Sequence, residues 1–265
     1  MLYWVFKWVL FTPVVRLVFR PRISGEHHIP DIGPAILVSN HISYGDTFVL
    51  PSMIRRRVTF PAKAELFSGR SVGGRIVRWF LHHVGMLPMD RAGGRASATS
   101  MDPVLEVLRQ GHIIGIYPEG TRSPDGRLYK GKTGVARLVL AARVPVIPVG
   151  MKDSQFVPSA FLGVPTIRHP VITIGPPLDF SRYAGAGNDR DVLRWVTDEI
   201  MSAVQQLSGQ TYVDAYGASA KAARADGRHF DAPELSRPGE GRPVPPIPLV
   251  PLAPTSAEAG GGEST

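Results

Sequence analysis

Short β-branched runs alternate with stretches of helical period from residue 33 to about 207, and this alternation restricts the fold more than any other feature of the chain. The apolar runs lie at 35–38, 58–61, 113–117, 144–149 and 171–174, and the helical stretches near 47–56, 70–83, 97–109, 133–142 and 190–207. Strands interleaved with helices pack as a sheet whose faces those helices cover. The expectation is an α/β fold with a mixed, mainly parallel sheet flanked by helices. A chain of 265 residues has room for one sizeable core or two small ones.

Both flanks depart from that pattern. Residues 1–20 are almost all aliphatic or aromatic, broken by Lys7, Pro13, Arg16 and Arg20, so the longest charge-free run is Trp8 to Val15. Such a run is too short to cross a hydrocarbon core, which takes about 20 apolar residues, and Pro13 breaks or kinks a helix. A secretory signal is not expected either, since no basic stretch precedes the apolar residues and no small-residue cleavage site follows. Residues 1–21 therefore read as a membrane-interfacial helix pair meeting at Pro13, with a pair packed on the core as the alternative. A single domain is expected over 22–216. Beyond it the periodicity stops, eight prolines fall between 233 and 254, and 217–265 reads as a Pro/Gly-rich disordered tail. Arg242, Pro245 and Pro248 in that tail match the spacing of a polyproline ligand, a solvated linker being the plainer reading.

Charge and cysteine usage narrow the chemistry. Residues 221–265 hold 5 Lys+Arg against 6 Asp+Glu, leaving 25 against 16 in residues 1–220. A body this basic fits an anionic partner: a membrane surface, a phosphorylated substrate or nucleic acid. The absence of cysteine removes thiolate nucleophiles, disulfide frameworks and the usual structural zinc sites.

In SNHISYGDTF, His41 and Asp46 stand five positions apart just after the first strong strand. On a regular helix or strand that spacing sends the two side chains apart, so they meet only across a turn. A strand ending at Ser39 and a helix starting near Asp46 would bring imidazole and carboxylate together, a general base with its orienting partner. Asp46 as a plain N-cap with His41 a bystander is the alternative. No histidine pairs with another suitable ligand at metal spacing, and no metal site is expected. In IGIYPEGTRSPDG, a strand delivers Glu119, Gly120, Thr121 and Arg122, where backbone NH groups and a guanidinium can converge on an oxyanion. GMLPMDR, ending in Arg91, repeats the theme of a short strand delivering a cation.

The ordered set NHISYGD, GMLPMDR, YPEGTRS and VPVIPVG, within residues 22 to 180, resembles the four sequence blocks of the glycerolipid acyltransferases. The likeness is greatest to the bacterial 1-acylglycerol-3-phosphate O-acyltransferases. The resemblance implies that His41 is the general base and Asp46 its partner in moving a fatty acyl chain to the free hydroxyl of lysophosphatidic acid. The donor would be acyl-CoA or acyl carrier protein, with no cofactor, no acyl-enzyme and no nucleic-acid partner. Arg122, with Glu119, Gly120 and Thr121, would sit at the acceptor phosphate, with Arg91 and Lys63 assisting. It further implies an enzyme on an anionic membrane surface, peripheral or monotopic at the cytoplasmic face of the cell membrane. Another lysolipid, a phosphoinositol-type acceptor or glycerol-3-phosphate is the alternative acceptor. Tyr117 opens the third block where the family more often has Phe.

Three rivals compete. Gly126 to Thr133 satisfies the P-loop pattern G-x4-GK[ST], but the preceding strand is expected to end nine residues earlier, which is wrong for a phosphate-wrapping loop. An acyl hydrolase would use the same base on water, without any G-x-S-x-G elbow to supply a serine nucleophile. A non-catalytic membrane-binding module would use only the basic body and the N-terminal residues.

Overall fold

A computed structural model describes residues 2–69, 71–89, 101–157, 166–167 and 169–247. In chain order it holds α1 (Leu2–Phe19), β1 (Arg22–Ser24), β2 (Ala35–Ser39), α2 (Asp46–Met53), β3 (Val58–Thr59), β4 (Pro61–Lys63) and α3 (Val72–His83). There follow β5 (Leu87–Met89), α4 (Asp102–Arg109), β6 (Ile113–Ile116), β7 (Leu128–Tyr129), α5 (Gly134–Ala142) and β8 (Val146–Lys152). The chain continues through β9 (Val171–Ile174), α6 (Arg190–Ser208), β10 (Tyr212–Val213), α7 (Gly217–Ala225) and β11 (Glu234–Leu235).

The β-branched runs build a six-stranded sheet in the order β1-β9-β8-β2-β6-β3, parallel at every pairing except β8 with β9. The mixed, mainly parallel sheet is thus as expected. β2 lies at its centre, with Leu37 opposite Gly115 on one side and Ile147 on the other. Strands buried on both faces need apolar side chains at successive positions, which is why these runs do not alternate with polar residues. Ile36 and Val38 join Ile114 and Val146 under α4, α5 and α6, whereas Ala35 and Leu37 join Ile147 and Val149 under α2 and Val15 of α1. The run at 58–61 divides at Phe60: β3 enters the main sheet, and β4 pairs with β5. A third small sheet orders as β11-β10-β7.

Two expectations about the flanks are corrected. The N-terminal residues form one helical run, not a pair meeting at Pro13. It is α-helical over Leu2–Val5 and Thr12–Val14 and π-helical over Phe6–Phe11 and Val15–Phe19. The wider π turns relieve the clash of the Pro13 ring with the preceding carbonyls, so the proline is absorbed rather than terminating. The run of 18 residues, mean hydropathy 1.5, is by length and composition alone long and apolar enough to cross a membrane. One side of it is nonetheless fixed to the domain. The Lys7 ammonium donates to the Ile54, Arg55 and Arg56 carbonyls just past the C-terminal end of α2, and Thr12 donates to the Ser52 carbonyl at 3.1 Å.

Residues 217–247 are likewise folded onto the domain, in place of the expected disorder. Arg237 pairs with Glu199 at 2.8 Å, Arg242 with Asp198 at 3.2 Å, and the Tyr183 hydroxyl donates to the Pro245 carbonyl at 3.0 Å. Prolines lack a donor but keep an acceptor, and the arginines between them supply the rest. Residues 248–265, Pro248 of the polyproline match among them, lie outside the described residues.

Candidate active site

β2 ends at Ser39, the chain turns through Ile42 to Gly45, and α2 begins at Asp46. That turn brings His41 Nδ1 within 2.8 Å of Asp46 Oδ2. The same oxygen accepts from the backbone NH groups of Ile42 at 2.7 Å and Ser43 at 2.9 Å, and Oδ1 accepts from the Ser154 hydroxyl. Asp46 is fully buried, yet four donors compensate the desolvation of its charge. With Nδ1–H donated to a carboxylate, the lone pair of Nε2 is left for a substrate proton. On the ring's flank, Tyr117 stacks at 4.1 Å between centroids, and Phe60 stacks on Tyr117 at 5.4 Å.

Ser154 follows β8 and stands 108 residues from its partner, so no local pattern in the sequence points to it. Asn40 is a second support whose partner lies far off in the sequence. Its amide accepts from Met151 NH at 2.7 Å and donates to the Met151 carbonyl at 2.9 Å, locking the end of β2 to β8.

The third block packs directly on the first. Ser123 NH donates to the His41 carbonyl at 2.7 Å. Glu119, expected at the acceptor phosphate, is corrected: it is 1% exposed and turned to the backbone, one oxygen accepting His41 NH and the other Tyr129 NH, each at 3.0 Å. Burial pushes its carboxyl up to about 8, against the pull of those two NH groups. Glu119 thus supports His41 rather than contacting substrate.

Gly120, Thr121, Arg122 and Lys63 line the cavity onto which His41 opens. The Arg122 guanidinium lies 3.5 Å over the centroid of Tyr44, held flat by a cation–π contact. Lys63 is half-exposed and pairs with Glu65 at 3.2 Å. Arg91 lies outside the described residues. The cavity has a volume of about 1140 Å³, and its inner walls are apolar, with Phe6 and Phe11 of α1, Phe48 of α2, and Phe80 and Leu81 of α3 among them. Within the P-loop match, Gly126 to Tyr129 form a turn and β7, and Thr133 precedes α5, so the segment does not wrap as a nucleotide loop. Among the described residues no group of three His, Asp or Glu side chains is placed to hold a metal ion.

A paired imidazole at the end of a central parallel strand, opening on a cavity with apolar walls that Arg122 and Lys63 also line, has the geometry of a general base. The sequence profile of the family described as Acyltransferase matches residues 20–152, half of the chain, and the chain belongs to that family. It is 28% identical over 166 residues to the chloroplast 1-acyl-sn-glycerol-3-phosphate acyltransferase LPAT1 of Arabidopsis thaliana, covering 62% of this chain and 45% of that protein. It is 31% identical over 137 residues to the human 1-acyl-sn-glycerol-3-phosphate acyltransferase alpha, covering 51% and 47%. The chain thus spans about half the length of these curated relatives. In fold it is similar to the crystal structure of PlsC, the 1-acyl-sn-glycerophosphate (LPA) acyltransferase of Thermotoga maritima. The TM-score is 0.52 at 23% identity, over 71% of this chain and 72% of that one.

Proposed function

We propose that the protein transfers a fatty acyl group from a thioester to the free hydroxyl of lysophosphatidic acid, giving phosphatidic acid. The observation that carries this is the His41–Asp46 pair at 2.8 Å, opening on an apolar cavity with Arg122 at its rim. His41 Nε2 takes the hydroxyl proton as the oxygen attacks the thioester carbonyl carbon, and Asp46 stabilises the imidazolium. On collapse the C–S bond breaks, and His41 returns the proton to the leaving sulfur. Each proton taken is given back, and the acyl group passes directly from donor to acceptor. Arg122 holds the acceptor phosphate, and the aromatic walls take an acyl chain. Donor chemistry is acyl-CoA or acyl carrier protein.

The same reading puts the enzyme on an anionic membrane surface, at the cytoplasmic face of the cell membrane. What supports a bilayer contact is the face that α1 and α3 share. Phe6 meets Trp79 at 5.9 Å and Phe80 at 6.1 Å, while Val9, Leu17, Val72 and Ile76 stand out exposed. Exposed apolar groups on helices that pack together belong at a headgroup boundary.

The test is acyl transfer by purified protein from palmitoyl-CoA, offered lysophosphatidic acid, glycerol-3-phosphate, lysophosphatidylinositol or no acceptor. Phosphatidic acid forming from lysophosphatidic acid alone, and not with folded His41→Ala, is the expected result. Thioester cleavage without acceptor would make the enzyme a hydrolase, and a different acylated product would move the substrate.

A further inference from the structure

Three cations line the cavity beside Gly120 and Thr121, and two of them come from outside the motif that carries Arg122. Lys221, on α7, puts its ammonium 3.2 Å from Thr121 Oγ1, beside Arg122. The helix reaches that close because Gly217 at its start lies against Thr121 and Tyr129, where a Cβ would fall 3.3 Å from the threonine methyl. Lys132 lies across Gly120: a Cβ on that residue, whose φ is +68°, would sit 3.1 Å from both Cε and Nζ of the lysine. Arg122, Lys132 and Lys221 all line the cavity that holds His41.

Among the described residues, none of the three forms an ion pair, although their neighbours do. Lys130, two residues before Lys132, pairs with Asp214 at 2.9 Å, and Arg127 pairs with Asp125 and Glu234. Like charges held together without a carboxylate repel one another, and a doubly charged anion removes that repulsion. Burial and then the charge of nearby Arg122 lower the Lys221 ammonium from its ordinary value.

We propose that Lys221 and Lys132 complete, with Arg122, a clamp for a substrate phosphate, so that the C-terminal segment is part of the binding site. The inference rests on the acyl-transfer reading for which phosphate enters, the headgroup of the acceptor or a phosphate of coenzyme A. Its test therefore uses binding as well as turnover. Thermal stabilisation of the full-length protein is measured with lysophosphatidic acid against 1-palmitoylglycerol, the same chain without phosphate, and with coenzyme A. KM is measured for lysophosphatidic acid and palmitoyl-CoA.

In wild type the phosphate-bearing lipid stabilises more than its neutral counterpart, and Lys221→Gln and Lys132→Gln shrink that difference. KM for the phosphate-bearing substrate rises about tenfold, more than kcat changes, as for loss of one charge-assisted contact. Lys221→Arg restores most of it, and Arg228→Gln, an exposed control, changes neither constant. An effect confined to lysophosphatidic acid assigns the clamp to the acceptor, and one confined to coenzyme A assigns it to the donor. Unchanged binding and KM for both ligands in folded Lys221→Gln and Lys132→Gln would overturn the clamp. A wild-type protein that binds the phosphate without turning over would leave the clamp standing and overturn the acyl-transfer reading.

Discussion

At the residue scale, the site is held by groups that never touch substrate. Glu119 is the clearest of them. An unfolded glutamate loses its proton near pH 4.3, whereas burial holds this one to about 8. As pH rises from about 4.3 toward 8 the unfolded chain releases that proton first, so stability falls across the window and levels off above it. The denaturation midpoint is expected to drop between about pH 4.3 and 8, and Glu119→Gln to flatten the drop. Tyr117 carries the converse imbalance: its hydroxyl is buried with no hydrogen-bond partner among the described residues, and burial, then the charge of Asp46, raises its ionisation well above the ordinary value. Tyr117→Phe keeps the ring on His41 and removes the orphan donor. It should raise stability by about 1 kcal/mol, read by denaturation, with turnover retained.

At the scale of elements, legibility followed bulk and symmetry of burial. The sheet strands were readable because their side chains are buried on both faces, and the His41–Asp46 turn because only a turn lets that spacing meet. α7 was not, since it buries Gly217, Ala220 and Ala223, a stripe of small residues that leaves no apolar period to detect. α1 was half-readable: its composition was plain, but π turns around Pro13 obey a rule that a 3.6-residue period does not contain. Glu119 shows the limit for single residues, because its motif marks a functional loop without saying which way each side chain points. For α1 the expected outcome is that removing residues 2–19 releases the protein from anionic liposomes, measured by co-sedimentation. Retention would transfer the membrane contact to α3 alone.

At the scale of the whole molecule, the site is assembled from both halves of the chain. The dyad comes from β2 and α2, the support of Asp46 from Ser154, and the third cation from α7. Truncation after residue 216 is therefore expected to weaken substrate binding strongly while leaving the main sheet intact, checked by KM together with circular dichroism. Wild-type constants in that truncation would show that the segment is dispensable. The position of Lys221 also bears on the order in which a ribosome delivers the parts. The nascent polypeptide carries its proton-transfer pair and the whole of its six-stranded sheet before the last grip on the phosphate emerges. An immature chain would thus have a base without a full hold on the phosphate of its substrate, and tight binding would arise only as translation reaches α7.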